Sequence, residues 1–171
     1  MKIVLAPDSF KESMTAVEAA QAMARGVQRV YPHARLELIP MADGGEGTTA
    51  TLAQALGAEL IQVEVQDALA RPRMAHLAWN AKTRLTILEV AEACGLEHIE
   101  EQERNPKAAT SFGVGTMILR ALDLGARRIV VGLGGSASND AGAGMMRALG
   151  ARLLDARGKD LPQGPGTLQS R

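Results

Sequence analysis

The feature that most constrains the fold of this chain is a strand pattern that stops abruptly at a loop of small residues. Residues 128–131 read RIVV, residues 132–140 read GLGGSASND, and a small-residue helix pattern starts at Ala141. A strand, a glycine loop and a helix in this order direct backbone N–H groups and a helix dipole at one point, which suits a phosphate or a carboxylate. A buried, tightly packed turn explains a single loop of this kind equally well, because isolated glycine motifs also match by chance.

The loop at residues 132–140 also carries polar side chains. We call it the third loop, because two similar loops precede it in the sequence. Ser136, Ser138 and Asn139 supply neutral hydrogen bonds, and Asp140 supplies a carboxylate suited to a magnesium ion or to proton transfer. Glycine in such a loop leaves no Cβ to block the close approach of a ligand. The loop is therefore a candidate anion site.

Two further strand patterns also end in polar loops. Residues 2–6 (KIVLA) predict a buried strand, and residues 7–13 (PDSFKES), the first loop, follow it. Residues 35–39 (RLELI) predict a second strand, and residues 40–48 (PMADGGEGT), the second loop, follow that. A parallel sheet binds its ligands beyond the carboxyl ends of its strands. A helix cap explains any one of these loops, whereas three of them at three strand ends favour a binding site.

The order of the remaining patterns predicts an α/β fold. A capping box at Thr15 and Glu18 starts a helix that ends at Tyr31-Pro32, and a helix over 48–56 stops at Gly57. From residue 61 the pattern changes to alternating strands, with a hairpin over 74–90, a helix over 111–124 and strands at 128–133 and 151–154. We predict a Rossmann-like parallel sheet segment, residues 1–66, followed by a second mixed α/β domain, residues 67–171, both incomplete.

Composition excludes several classes of function. The 19 basic residues balance the 19 acidic residues and form no stripe, which argues against nucleic-acid binding. No signal-peptide pattern and no membrane-length apolar run occur, so we expect a cytoplasmic protein. Cys94 is the single cysteine and is predicted to be a core residue in a reducing compartment. The isolated His33, His76 and His98 lack metal-binding spacing and are predicted to be ordinary surface or core residues.

Taken together, the polar segments resemble the bacterial glycerate kinase family. The matching segments occur in the order and spacing of that family, and they are residues 6–13 (APDSFKES), 42–48 (ADGGEGT), 104–106 (RNP), 110–115 (TSFGVG) and 132–140 (GLGGSASND). Residues 67–72 and 140–142 depart from the family pattern, which predicts local differences in turn geometry.

The resemblance implies an activity and an architecture. The activity is ATP- and Mg²⁺-dependent phosphorylation of D-glycerate, commonly at the 2-hydroxyl, to give 2-phosphoglycerate and ADP. The architecture is two α/β domains with the active site in the cleft between them. Family members are much longer than 171 residues, so the resemblance implies that this chain is a fragment that lacks half of the cleft.

Residue roles follow from the same resemblance as hypotheses. Lys11 would neutralise a transferring phosphate or hold the glycerate carboxylate. Asp8 or Asp43 would orient the substrate hydroxyl or carry magnesium, and the sequence does not rank the two.

No Walker-type loop is present, so the phosphates of ATP are assigned to the third loop, through Gly134, Gly135, Ser136, Ser138 and Asn139. Glu46 and Asp140 are the metal candidates, and the substrate-binding candidates are Ser9, Gly44, Gly45, Thr110 and Ser111. The pair Thr110-Ser111 most simply caps a helix.

Two alternatives accompany this hypothesis. Kinases of the galactokinase–homoserine kinase type have a phosphate loop similar to residues 132–138, although nothing in them explains the second loop. A non-catalytic fragment is the other alternative, and its exposed sheet edge and interdomain face would favour self-association.

Overall fold

Two β-sheets and their flanking helices form the structure, a computed structural model that describes residues 1–10 and 13–161. Two short 3-10 turns occur at Leu96–His98 and Glu101–Glu103. The elements in chain order are β1 (Lys2–Leu5), α1 (Ala16–Val30), β2 (Arg35–Leu38), α2 (Thr48–Leu56), β3 (Glu59–Gln66), β4 (Pro72–Asn80), β5 (Leu85–Glu89), α3 (Val90–Cys94), α4 (Phe112–Asp123), β6 (Arg128–Gly132) and α5 (Ala143–Ala148). The predicted α/β class is confirmed.

The first sheet contains β1 and β2, which pair in parallel and are joined by α1. This helix begins at the predicted capping box. The Glu18 N–H donates to Thr15 Oγ1 over 3.2 Å, and the Thr15 N–H donates to the Glu18 carboxylate over 2.8 Å. Both bonds satisfy N–H groups that have no partner within a helix. Tyr31 caps the other end of α1, as the Tyr31-Pro32 pair predicts.

The second sheet has the strand order β3-β4-β5-β6. The pairs β3–β4 and β4–β5 are antiparallel, which confirms the predicted hairpin, and β6 joins parallel to β5. The parallel pairing brings the end of β6, where the third loop starts, beside Glu89 at the end of β5. The topology thus places the glycine loop next to a buried acidic residue.

Helices cover both faces of the second sheet. Leu77 and Leu88 belong to the larger core cluster, together with Val114 and Met117 of α4. Their neighbours Ala78 and Ile87 belong to a second cluster with Ala53 of α2. Successive side chains of a strand point to opposite faces, so α4 packs on one face and α2 on the other. This packing fixes the N-terminus of α2 at the edge where the loops meet.

One predicted strand does not form. Residues 151–154 contribute a single bridge, between Leu154 and Asp160, and join neither sheet. The Asp155 carboxylate accepts the N–H groups of Arg157 and Lys159 and closes a local turn. The prediction was wrong because the residues of a short segment do not show whether a neighbouring strand is available to pair with it. Residues 162–171, which the sequence analysis treats as an irregular end, lie outside the described residues.

The predicted division between residues 66 and 67 stays a prediction. It falls between β3 and β4, which pair in register from Glu59 opposite Trp79 to Gln66 opposite Pro72. The helix α2 from the first segment packs on this second sheet. Residues on the two sides of the predicted boundary therefore contact each other.

Apolar side chains remain exposed on and beside the first sheet. Val4 is 50% exposed, Leu38 40% and Ile39 43%. The predicted self-association would bury such groups and stays a prediction. In the ranges that the structure describes, no helix combines the length and the apolar composition that crossing a bilayer requires.

Candidate functional site

A pocket of about 390 Å³ lies between the first and second loops and the helices that follow them. Its polar lining residues are Asp8, Ser9, Ser13, Thr15, Glu18, Glu46, Thr51 and Gln54. Side chains of Phe10, Met14 and Met41 add apolar lining. A concave site that mixes apolar walls with a few convergent polar groups is suited to a small organic ligand.

The structure brings three of the predicted site residues together in this pocket. Asp8, Ser9 and Glu46 all line it, and the Asp8 carboxylate accepts the Ser9 N–H over 2.7 Å. Asp43 is absent from the described lining, and its Oδ1 accepts the Gly45 N–H over 2.8 Å. Lys11 lies outside the described residues.

The described lining of the pocket carries negative charge. Asp8, Glu18 and Glu46 are acidic, and no lysine or arginine is found among the described lining residues. An anionic ligand in this pocket would therefore meet no positively charged side chain among the described lining residues. Within the described part of the chain, no cluster of three or more His, Cys, Asp or Glu residues is arranged to hold a metal.

The glycines of the second and third loops pack backbone against backbone. The Gly134 N–H donates to the Gly44 carbonyl over 2.8 Å. A Cβ on Gly132 would lie 2.6 Å from the Gly44 oxygen, and a Cβ on Gly134 would lie 2.6 Å from Gly45 Cα. The close approach that the sequence assigns to a ligand is thus made, at these positions, by another loop.

The rest of the third loop is held by its own hydroxyls and by the turn after α3. The hydroxyls of Ser136 and Ser138 lie 2.8 Å apart, and the Ser138 N–H donates to Ser136 Oγ. The Ala137 N–H donates to the Cys94 carbonyl. Cys94 is fully buried, as predicted, and burial raises the pKa of its thiol. Gly135, Ser136 and Asn139 are exposed to solvent.

Asp140 organises the start of two helices. Its Oδ2 accepts the N–H groups of Ser111 (2.8 Å) and Gly144 (3.0 Å) and the Ser111 hydroxyl (2.9 Å), while Oδ1 accepts the Gly142 N–H (3.1 Å). Burial raises the pKa of this carboxyl, but the N–H and hydroxyl donors outweigh burial and lower it overall. Its oxygens are largely committed to the protein, so these contacts do not favour a metal-binding role, which stays a prediction.

Thr110 and Ser111 act together with Asp140. The Phe112 N–H donates to Thr110 Oγ1 over 3.2 Å, so Thr110 caps α4 as predicted. Ser111 makes no side-chain cap; its hydroxyl donates to Asp140 and accepts the Met145 N–H of α5. Both residues are buried. Their predicted contact with substrate stays a prediction.

A buried glutamate at the end of β5 was not among the site residues predicted from the sequence. Glu89 is 2% exposed, and its two oxygens accept the N–H of Gly47 (3.0 Å) and the N–H of Thr49 (2.9 Å) at the start of α2. Burial raises the pKa of Glu89, although these N–H groups act in the opposite direction. The available signal was an ionisable residue directly after Ile87 and Leu88 in a strand pattern, where a solvated side chain is not expected.

A second missed glutamate lies beside Glu46. Partial burial, a hydrogen bond between the carboxyls of Glu97 and Glu46, and repulsion from Glu46, Glu89 and Glu92 raise the pKa of Glu97 to about 7. The two side chains bring carboxyl oxygens together, and such oxygens are ligands that a hard cation prefers. Glu46 therefore stands in a more acidic environment than its own loop indicates.

Similarity to known proteins identifies the family of this chain. The sequence model described as the glycerate kinase family matches residues 3–171. The chain belongs to the glycerate kinase family. The resemblance is confirmed, and it favours this family over the galactokinase–homoserine kinase type.

Relatives of the family agree over nearly all of the chain. Glycerate kinase of Bacillus subtilis (strain 168) is 46% identical over 168 residues, which are 98% of this chain and 44% of the relative. Glycerate 2-kinase of Escherichia coli (strain K12) is 44% identical over 171 residues, or 99% of this chain and 45% of the relative. The chain thus spans less than half the length of these family members.

A solved structure in the same family has the same fold. The crystal structure of a protein assigned as glycerate kinase 2 from Salmonella typhimurium LT2 superimposes with a TM-score of 0.82 at 45% sequence identity. The match covers 96% of this chain and 44% of that chain. The α/β arrangement described above is therefore the arrangement of a glycerate kinase over the shared segment.

Proposed function

We propose that this chain carries the D-glycerate site and part of the ATP site of a kinase that forms 2-phosphoglycerate and ADP. The observation that carries the proposal is the pocket in which Asp8, Ser9 and Glu46 converge beside the packed second and third loops. Family membership supplies the substrate class, because relatives at 44–46% identity are named glycerate kinase or glycerate 2-kinase.

Glycerate has one carboxylate and two hydroxyls, and the pocket offers partners for the hydroxyls. Ser9 and Ser13 supply hydroxyl groups, and Asp8 supplies a carboxylate that can accept from a substrate hydroxyl. The substrate carboxylate needs a positive partner in a lining that is otherwise acidic. We assign that partner to Lys11, which the chain places between Phe10 and Ser13.

Phosphoryl transfer to the 2-hydroxyl requires that its proton leave as the new oxygen–phosphorus bond forms and the bond to the departing ADP oxygen breaks. We assign the proton to the Asp8 carboxylate, which lines the pocket. Asp43 is the weaker candidate, because it is not among the described lining residues of the pocket. The position of Asp8 in the pocket lining supports this choice between two residues that the sequence leaves equal.

The residues present fit ATP and magnesium in part. The exposed Gly135, Ser136 and Asn139 can meet phosphate oxygens, whereas the Gly134 N–H is committed to Gly44. Glu46, with Glu97 beside it, offers the carboxylate oxygens that magnesium prefers. When bound, magnesium neutralises charge on the transferring phosphoryl group.

We further propose that the protein works in the cytoplasm. Its single cysteine is buried and unpaired, as is usual in a reducing compartment. A kinase also needs the ATP that this compartment supplies.

A coupled ADP-release assay with D-glycerate, ATP and Mg²⁺ tests the function. If the 171-residue chain turns over, we expect Asp8→Asn to lower kcat by about 100-fold or more, because the amide cannot take the hydroxyl proton. Asp43→Asn is the matched control and should lower kcat less. Equal rates for the wild type and Asp8→Asn would contradict the assignment of the base.

The same assay separates the non-catalytic alternative. A folded chain that binds D-glycerate in a calorimetric titration but releases no ADP would be a binding segment without turnover. A folded chain with neither binding nor turnover would contradict the proposed function for this chain.

A further inference from the structure

The second loop forms one wall of the pocket, and its anchors include three hydrogen bonds made by Gly44 and Gly47. The Gly44 carbonyl accepts the Gly134 N–H, and the Gly44 N–H donates to Thr48 Oγ1 over 3.1 Å. The third anchor is the Gly47 N–H, which donates to Glu89. Of these partners, Glu89 is the one that carries a charge, and it comes from a different sheet than β2.

Glu89 spans a long sequence separation to reach the loop. It stands 42 residues from Gly47 and 40 residues from Thr49, and each of its oxygens holds one of the two N–H groups. A carboxylate at a helix N-terminus also interacts favourably with the helix dipole. The contact therefore fixes both the first turn of α2 and Gly47, which itself lines the pocket directly after Glu46.

We propose that Glu89 is a positioning residue of the glycerate pocket, which holds Gly47 and Glu46 in place by capping α2 from the end of β5. This inference rests on the proposed function, because it takes the pocket to be the substrate site. Glu89 is not among the described lining residues of the pocket. Its effect on the ligand passes through the backbone of the second loop.

The surroundings of Glu89 change the pH at which its carboxyl ionises. Glu92 of α3 repels it, and Glu97 after α3 and Glu46 of the second loop belong to the same acidic group. Burial raises the pKa of Glu89 above its usual value, and the N–H groups of Thr49 and Gly47 oppose burial. Glu89 should accordingly gain its proton at a higher pH than an exposed glutamate. The chemical shifts of the Gly47 and Thr49 amides should change when it does.

The first experiment needs no ligand. In ¹H–¹⁵N spectra of the 171-residue chain, the amide signals of Gly47 and Thr49 should shift together as the pH falls, with a midpoint above the usual glutamate value of about 4.3. The shift should be absent in Glu89→Gln. A neutral amide of the same size can accept from one of the two N–H groups, but it turns its NH₂ toward the other. Amide signals that do not titrate in the wild type would overturn the contact.

The second experiment measures what a merely structural cap would leave unchanged. D-glycerate should bind Glu89→Gln about tenfold more weakly than the wild type. Glu92→Gln is the matched control, because Glu92 is a nearby half-buried glutamate that bonds to His76 and not to α2, and its Kd should stay within about twofold. An unchanged Kd in a folded Glu89→Gln would overturn the positioning role.

The two proposals fail in distinguishable ways. If the wild type does not bind D-glycerate while the amide titration is intact, the proposed function fails and the role of Glu89 toward glycerate fails with it. If the wild type binds and Glu89→Gln binds equally well, the inference about Glu89 alone fails. Should Glu89→Gln not fold, Glu89→Asp keeps the charge on a side chain too short to hold both N–H groups, and its Kd gives the same test.

Discussion

Replacing Asp140 with alanine is expected to lower the free energy of unfolding by about 3 kcal/mol. The variant leaves the N–H groups of Ser111, Gly142 and Gly144 and the Ser111 hydroxyl without their acceptor. Each group that stays desolvated without a partner costs about 1–3 kcal/mol, and partial access to water reduces the sum. Urea unfolding measures the loss as a lower midpoint at an unchanged m-value.

The same variant has a pH signature. The donors around Asp140 outweigh burial and hold its pKa below the usual range, so its stabilising effect is present above the unfolded pKa of about 3.9. That effect is lost as the pH falls through the folded pKa. The difference between wild type and Asp140→Ala should therefore be full near neutral pH and shrink below about pH 4.

Asp160 provides the control for this prediction. It is an exposed aspartate paired with Arg152, and its pKa is also lowered, mainly by that side-chain hydrogen bond. Exposed pairs contribute little to stability, so Asp160→Ala should leave the urea midpoint nearly unchanged. Equal losses in the two variants would contradict the central place of Asp140 in the packing of α4 and α5.

Replacing Gly134 with alanine is expected to separate the second and third loops. The added Cβ would lie 2.6 Å from Gly45 Cα and 2.8 Å from Gly45 N. Both are backbone atoms, which cannot rotate away as the end of a side chain can. We expect a loss of about 2–3 kcal/mol in the free energy of unfolding, together with weaker D-glycerate binding, because the second loop forms a wall of the pocket.

Gly26 provides a control, because replacing it with alanine should change the free energy of unfolding in the opposite direction. It lies within α1, and a Cβ there would meet nothing within 4 Å. Gly26→Ala should raise the free energy of unfolding by about 0.5–1 kcal/mol, because alanine loses less backbone entropy in a helix. Thermal unfolding of both variants, with calorimetric titration of D-glycerate, measures the pair. A Gly134→Ala variant as stable as the wild type would contradict the tight loop packing.

Local signals predict the elements of this fold well, because their causes lie within a few residues. The capping bonds of Thr15 and Glu18 join residues three apart, and Gly57 ends α2 in the left-handed conformation at φ +59°. The hairpin β4–β5 follows from alternation around a polar turn. The segment 151–154 shows the limit of such reasoning, since its pattern exists without a partner in either sheet.

The candidate site was predicted less completely, because its contacts join distant parts of the chain. Sequence places Gly134 in a loop that suits an anion, but the partner of its N–H is Gly44. The sequence predicts Asp140 as a metal ligand and gives no sign of the protein donors that surround its carboxylate. Glu89 carries no local motif, and its partners lie 40 and 42 residues away.

Mapping the D-glycerate site by ¹H–¹⁵N chemical shifts tests the central claim most directly. The 171-residue chain would be titrated with D-glycerate in the presence of Mg²⁺, with L-glycerate as the stereochemical control. We predict shifts concentrated at Asp8, Ser9, Glu46 and Gly47, and weaker shifts with L-glycerate. Shifts confined to other surfaces, or no shifts from a folded chain, would contradict the claim that this pocket is the glycerate site.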